Sequence, residues 1–272
     1  MHRTDISVVI PTFRRPLLLA RLLKSVARQT LAPAEVVVVD DASPERTDYE
    51  ALLREFKGRF KSLNYVRNRT HRGAPACRNA GILRAKSPLI ALVDDDDEWL
   101  PRKLEKQRAV FEKNGNKVDF VYNWVRVKDE RGRVVENRNP SISGKGVGAF
   151  LRDISWNLPN PSATLIKRDC LLAAGLFDES LPGCQDWDMW IRILEKGYQY
   201  RPVRFYLTLQ HTTRTGISKS WGGKKGFVLL ALRHFRLFFR TNPLIFFHLA
   251  WFITGFKIGL RNKFFSPQRS GL

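Results

Sequence analysis

The sequence predicts an α/β fold in which parallel strands alternate with helices. Three observations predict it. Short β-branched apolar runs recur through the first hundred residues, as buried parallel strands require. Helical stretches separate them, which is the rhythm of a three-layer α/β sheet. Most of the runs stop abruptly at Pro or Asp, as strands do where they leave a sheet.

Ile6 to Ile10 is the first such strand and ends at Pro11. Pro16 opens a helix, where its missing N–H costs nothing, and Leu17, Leu18, Leu22, Leu23 and Val26 form its apolar stripe. Glu35 to Val39 is the second strand and stops at Asp40-Asp41. A helix over Tyr49 to Phe60, a strand over Leu63 to Val66, a helix over Ala76 to Ala85 and a strand over Leu89 to Val93 follow. The last ends in LVDDDDEWLP. Beyond Pro101 the pattern predicts a helix to about Lys113, a strand over Asp119 to Val127 and a hairpin through Asp129 to Gly132. A short strand at Ala163 to Ile166 precedes a helix over Arg168 to Ala174, stopped by Gly175, and a helix over Asp186 to Glu195.

With 272 residues, 43% hydrophobic content and seven tryptophans, the chain suits one large domain or one domain with an appendage, and it is not disordered. Its 47 Lys and Arg outnumber 26 Asp and Glu, for a net charge of +21. That balance suits anionic partners such as nucleic acid, phosphorylated substrates or an anionic membrane surface. No acidic residue follows Glu195, so acidic sites belong to the first two-thirds and a purely basic tail follows. Within the tail, Phe227 to Phe239 is apolar but carries Arg233, Arg236 and Arg240 on one helical face. Leu244 to Phe256 is almost wholly apolar, yet shorter than the roughly 20 residues that span a bilayer. The pattern predicts a helical tail lying in the membrane interface with arginines toward headgroups. A helical pair packed on the main domain is the alternative. The three cysteines, Cys77, Cys170 and Cys184, lack metal-ligand spacing and suit a reducing compartment. The first residues are too short in apolar run for a signal peptide. No nucleic-acid motif appears, and the basic excess lies in an apolar, aromatic tail, which argues against a nucleic-acid partner.

Ligands of open α/β sheets bind beyond the carboxyl ends of the strands. Thr12, Asp40, Asp41 and Asp94 to Asp97 should therefore converge on one rim. Crowded carboxylates raise one another's pKa unless a cation compensates. Asp94 and Asp96 flank one residue, and their oxygens suit Mg²⁺ or Mn²⁺; a solvated acidic turn is the alternative. The carboxylates of VVVVDDAS suit a ribose hydroxyl or base N–H, or equally a cap or turn. HRGAPACRNAG brings His71, Arg72 and Arg78 near the same rim, where arginines suit a diphosphate. In GCQDWDMWIRILEKG, Asp186 and Asp188 fall in a first helical turn, which the helix dipole favours. Tryptophan faces stack on sugar rings, so Trp187 or Trp190 is an acceptor-side candidate, as is Trp99, although tryptophans at this spacing are more often core.

These segments occur in the order of the inverting family 2 glycosyltransferases of the GT-A fold, which the chain resembles from about Ser7 to Ser218. VVIPTFRR resembles the family's opening strand, VVVVDDAS its nucleotide-binding strand end, GAPACRNAGILRAKSPLIALVDDDDEWLP its central block with the DXD motif, and GLFDESL with QDWDMWIRIL the segment ending in the catalytic helix. The resemblance implies a Rossmann-like mixed sheet sandwiched by helices over residues 1–218, with a basic, apolar helical extension over 219–272. It implies that Asp41, with Asp40 behind it, contacts the nucleoside base in a pocket lined by Pro11 and Phe13. Thr12, Arg14, Asp94, Asp95 and Arg78 complete the donor side. Asp96 and His211 are implied on a divalent metal, Mg²⁺ or Mn²⁺, and Asp186 as general base. The implied reaction moves a sugar from a nucleotide sugar, UDP-linked first of all, to a saccharide or lipid-linked acceptor. The expected place is the cytoplasmic face of a membrane, in surface polysaccharide or glycolipid synthesis. Two positions depart from the pattern: Arg14 stands where Asn is usual, and Gln185 where Glu is usual. Gln185 leaves open a family member that binds a nucleotide sugar without turnover.

Overall fold

The computed structural model describes residues 5–44, 46–140, 144–145, 147, 159–212 and 221–241. Ten strands form one mixed sheet: β1 (Ile6–Thr12), β2 (Glu35–Asp40), β3 (Leu63–Arg67), β4 (Leu89–Leu92), β5 (Glu98–Trp99), β6 (Phe120–Lys128), β7 (Val134–Arg138), β8 (Gly144–Lys145), β9 (Thr164–Lys167) and β10 (Gln199–His211). The spatial order is β3-β2-β1-β4-β9-β6-β10-β5, with β7 paired to β6 and β8 to β10. β1 to β4 run parallel, as the sequence pattern predicts. The other half departs from that pattern. β9 runs antiparallel to both β4 and β6, so the sheet is mixed.

The chain leaves β1 for β2 on one side and later returns to place β4 on the other. The carboxyl ends of β1 and β4 therefore flank a point where the winding reverses, which opens a crevice there. Thr12 ends β1, and the acidic run begins directly after β4.

β1 is buried along its whole length, and its side chains alternate between the two faces. Ile6, Val8 and Ile10 join a core covered by α1 (Pro16–Ala27), α2 (Arg46–Glu55) and α4 (Lys103–Asn114). Val9 faces a second core, covered by α3 (Ala74–Arg84), α5 (Arg168–Ala173) and α6 (Gln185–Glu195). α2 starts and ends earlier than its pattern suggests, because the chain turns at Phe56 to Arg59, with Gly58 at φ 86°.

β10 has no counterpart among the elements read from sequence. Register shifts at Val203/Tyr206 and Tyr206/Thr208 interrupt its alternation, and Pro202 lies within it. The tail also differs. The apolar stretch is two helices, α7 (Trp221–Arg233) and α8 (Phe235–Thr241), broken at His234. Phe227, Leu230, Ala231 and Phe238 are buried in the same core as Trp190 and Tyr200. These two helices thus pack on the main domain as the alternative reading had it. Arg233 turns inward to Asp178 (2.5 Å) and Asp188 (3.2 Å), not toward headgroups. The 218/219 boundary and the apolar run Leu244 to Phe256 lie outside the described residues.

α3 crosses β1 closely at Gly81, where an added Cβ would stand 2.3 Å from a Val9 methyl carbon. Val9 is β-branched and sealed in the core, so it has little room to give. Gly81→Ala should therefore lower stability by about 1–3 kcal/mol. Denaturant unfolding of the variant beside wild type measures it, and an unchanged midpoint would sink the claim.

Candidate active site

The rim of the parallel strands carries the acidic groups, and arginines from two helices answer them. Arg78 of α3 is buried and donates from Nη2 to Asp94 Oδ1 at 2.5 Å. Its guanidinium lies 5.5 Å from the centre of the Phe177 ring, and its Nε finds no acceptor among the described residues. Arg15, at the start of α1, donates from Nη1 to Asp96 Oδ2 at 2.9 Å and reaches Asp95 Oδ1 at 3.3 Å. Arg21 donates to the Asp96 carbonyl at 2.5 Å and stands 3.5 Å from Glu98. Part of the compensation that LVDDDDEW needs is thus supplied within the chain.

The four aspartates have different surroundings. Asp95 is buried, accepts from the Thr12 hydroxyl at 2.8 Å, and is pushed by burial up to about 6. Asp97 is sealed, and burial holds its carboxyl well above the usual range. Asp94 and Asp96 stay partly open, with side chains 32% and 23% exposed. Burial, and then the neighbouring Asp94 charge, push Asp96 up.

Asp40 and Asp41 have different partners. Asp40 is fully enclosed, accepting from Ser43 N (3.0 Å) and the Tyr65 hydroxyl (2.9 Å) and pairing with Arg67 (3.3 Å). Asp41 binds the 68–73 loop: it accepts from Asn68 Nδ2 (2.9 Å), Arg72 N (3.0 Å) and Gly73 N (2.6 Å), and pairs with His71 (2.8 Å). That loop brings His71 within 4.2 Å of Phe13, ring centre to ring centre. Pro11 is buried beneath, and Arg14 takes a left-handed φ of 56° with its N–H donating to Ser43 Oγ. Phe13 and His71 thus pack ring against ring beside Asp41, with the Arg14 guanidinium 5.9 Å from the Phe13 ring centre.

Asp186 stands at the N-terminal end of α6, half-buried, and accepts from Trp187 N at 3.0 Å. Burial pushes its carboxyl up to about 6, opposed by the nearby Arg78 charge and helped by Asp94. Arg78 therefore pairs with the acidic rim at Asp94 while its charge also reaches Asp186. Gln185 donates to the Leu181 carbonyl at 3.0 Å, holding the loop before the helix.

Three expectations fare differently. Trp99 is not available as a sugar platform: its ring is buried in the core, its indole N–H donates to Ser162 O, and the Lys103 ammonium lies 4.0 Å from its centre. Trp187 is half-buried and meets Phe227 of α7 edge to face at 5.9 Å. His211 ends β10, where its Nε2 pairs with Glu98 at 2.8 Å. Among the described residues no group of three His, Cys, Asp or Glu is arranged to hold a metal. The open pair Asp94 and Asp96 offers hard oxygen donors, which fits a cation that takes one or two carboxylates and draws its remaining ligands from phosphates. Arg15, Arg21, Ser162 and Glu179 were not among the residues singled out from sequence. Glu179 pairs with Arg72 at 2.5 Å and accepts from Asn79 at 3.0 Å, tying the loop before α6 to the 68–73 loop.

A family model described as glycosyl transferase family 2 matches residues 7–171. The chain belongs to glycosyl transferase family 2. The putative colanic acid biosynthesis glycosyl transferase WcaA of Escherichia coli K12 is 38% identical over 195 residues, spanning 70% of this chain and 66% of that protein. The uncharacterized glycosyltransferase YwdF of Bacillus subtilis is 31% identical over 205 residues, 73% of this chain and 70% of its own. Among solved structures, S. aureus TarS 1-349 in complex with UDP-GlcNAc superposes with a TM-score of 0.67 at 18% identity, covering 84% of this chain and 66% of TarS 1-349. That likeness establishes the GT-A fold of this glycosyltransferase.

A general base works in its unprotonated form. With Asp186 as the candidate base, kcat/KM should be half-maximal near pH 6, reach its plateau about one to two pH units higher, and fall further as pH drops below 6. Asp186→Asn should fold normally and lose at least a hundredfold in rate, about the weight of a positioned base. An active Asp186→Asn enzyme would overturn the assignment.

Proposed function

We propose that this glycosyltransferase moves a sugar from a nucleoside-diphosphate sugar, UDP-linked by preference, to a hydroxyl of a saccharide or lipid-linked acceptor, with inversion. The reading is carried by one arrangement: a half-buried carboxylate, Asp186, beside a buried arginine, Arg78, that also engages the acidic rim at Asp94. WcaA, described as a putative colanic acid biosynthesis glycosyl transferase, and the UDP-GlcNAc bound to TarS support this class of reaction and of donor.

The nucleoside docks against the Phe13–His71 pair and Arg14, beside Asp41. The diphosphate then lies toward Arg78 and the Asp94–Asp96 pair. A hydroxyl is far less acidic than a carboxylic acid of pKa about 4, so Asp186 does not strip the acceptor in advance. It takes the proton as the new C–O bond forms on the face of the sugar opposite the leaving group. Arg78, itself buried, supplies preorganised positive charge to the departing diphosphate. Asp94 and Asp96 would hold a Mg²⁺ or Mn²⁺ ion, which supplies further positive charge to the leaving group. Because Asp41 is already engaged by four partners, its role toward the base includes shaping the 68–73 loop.

A panel of nucleoside diphosphates with and without Mn²⁺, read by thermal shift, tests the donor. UDP with Mn²⁺ should stabilise wild type by several degrees and Asp96→Asn hardly at all. If no nucleotide stabilises the folded wild-type protein, the donor reading fails.

The outer face of the tail helices suits an anionic membrane surface. Leu232 and Phe239 are 65% and 60% exposed, and Phe235 stacks on Phe239 at 6.0 Å. Arg236 and Arg240 stand exposed among them, and no acidic residue occurs after Glu195. No helix among the described residues is long and apolar enough to cross a membrane. The full chain should sediment with vesicles rich in phosphatidylglycerol, less so at high salt. Phe235→Ser with Phe239→Ser should reduce binding about tenfold or more, because two aromatic anchors leave the acyl boundary. Equal sedimentation of this double variant would refute the tail as the docking surface.

A further inference from the structure

The loop before the catalytic helix and the first tail helix meet backbone to backbone. A Cβ added at Gly226 of α7 would lie 2.5 Å from Gly183 O and 2.6 Å from Gly183 Cα. One added at Gly183 would lie 2.9 Å from Gly223 Cα. Only glycines allow this approach, and Gly183 stands three residues before Asp186. Cys184 between them takes a left-handed φ of 56°, so the entry to α6 is a tight turn with little freedom to shift.

A second, separate set of contacts holds the same helix one turn further on. Asp188 is fully buried and accepts from Arg192 Nε at 2.8 Å, Arg233 Nη1 at 3.2 Å and His234 Nε2 at 3.0 Å. Arg233 and His234 lie at the break between α7 and α8. Arg192 also donates to the Ala174 and Leu176 carbonyls, and Arg233 pairs with Asp178. The network therefore joins α6, the tail and the loop that carries Phe177, the ring against which Arg78 lies. These donors hold Asp188 down to about 2 against the effect of burial.

We propose that Gly226 and His234 are positioning residues for transfer: α7 seats on Gly183, the α7–α8 junction anchors Asp188, and together they fix the start of α6 so that Asp186 faces Arg78. This rests on Asp186 being the base. The tail is then part of the catalytic apparatus, although it supplies no group to the reacting atoms. Displacing a base by about 1 Å costs on the order of a hundredfold in rate, so the effect of losing these contacts should be large.

Full-length Gly226→Ala, His234→Ala and His234→Gln are compared with wild type, with exposed Lys225→Ala on the same helix as control. Gly226→Ala and His234→Ala should lose tenfold or more in kcat on the sugar nucleotide that wild type uses. Their calorimetric affinity for UDP with Mn²⁺ should stay within twofold. His234→Gln, which restores an N–H donor to Asp188, should recover most of the rate, and Lys225→Ala should match wild type. A readout without turnover accompanies this: the ¹³C titration of the Asp186 carboxyl, assigned by its loss in Asp186→Asn. Its midpoint should drop toward the ordinary carboxylate value in Gly226→Ala as the displaced turn admits water. Variants that melt earlier but keep the wild-type kcat and midpoint would overturn the proposal, as would a His234→Gln enzyme no better than His234→Ala. If Gly226→Ala does not fold, the His234 pair decides. Shifted midpoints with Asp186→Asn still active would instead remove Asp186 as the base and leave the contact as a structural clamp.

Discussion

The ion pair between Arg78 and Asp94 is the constraint on which the site depends. Four aspartates follow one another at the end of β4, two of them out of water, and their mutual repulsion has to be met somewhere. Arg78 meets part of it from inside the protein, where a guanidinium is itself costly to bury unless paired. Its position is fixed by α3, and α3 is fixed by the close crossing of Gly81 over Val9. Its flat face rests on Phe177, whose backbone is tied to Asn79 by a pair of hydrogen bonds. The same charge moderates Asp186 from the other side. Sheet, helix and loop thus converge on one cation, and the acidic rim and Asp186 share it.

The parallel half of the fold was legible because fully buried strands leave unbroken β-branched runs, and VVVVDD and LIALVDDDD carry both the strand and its end. The rim residues were legible for the same reason, since a strand end in such a sheet is a place as well as a sequence position. β10 was not legible. A strand with two register shifts and an internal proline has no steady period for the eye to follow. Arg15 and Arg21 were missed because a cationic residue near an exposed helix start looks like any solvated charge until the partner across the sheet is known. Trp99 was misassigned by proximity to the acidic run: β5 turns its ring inward, under Ser162, while only Asp94 and Asp96 of the run stay partly open.

The tail shows how charge and packing can both be true of one segment. Its composition suggests a membrane-surface helix, and its outer face keeps Leu232, Phe235 and Phe239 exposed. Yet alternate turns bury Phe227, Leu230 and Phe238 against Trp190 and Tyr200, and an arginine that looked free for lipid headgroups closes on two aspartates. A helix with three kinds of residue on three sides has no single amphipathic reading, which is why composition favoured one answer and the structure gave part of the other.

β5 holds only two residues, and its ladder partner is β10, which pairs Trp99 with Thr208 and Glu98 with Leu209. More than a hundred residues therefore separate the end of the acidic run from the strand that braces it. During synthesis, β1 to β4 can assemble while the chain is still growing, but the rim stays unbraced until β10 emerges, and α6 lacks its glycine contact until α7 follows. Non-local pairings of this kind are slow to form because the loop must close before the contact rewards it. The enzyme should consequently acquire its acidic rim and the seat of Asp186 late and nearly together. A nascent or truncated chain would then carry a well-formed sheet without a competent site, so that premature products would be inert toward sugar nucleotides and not merely less active.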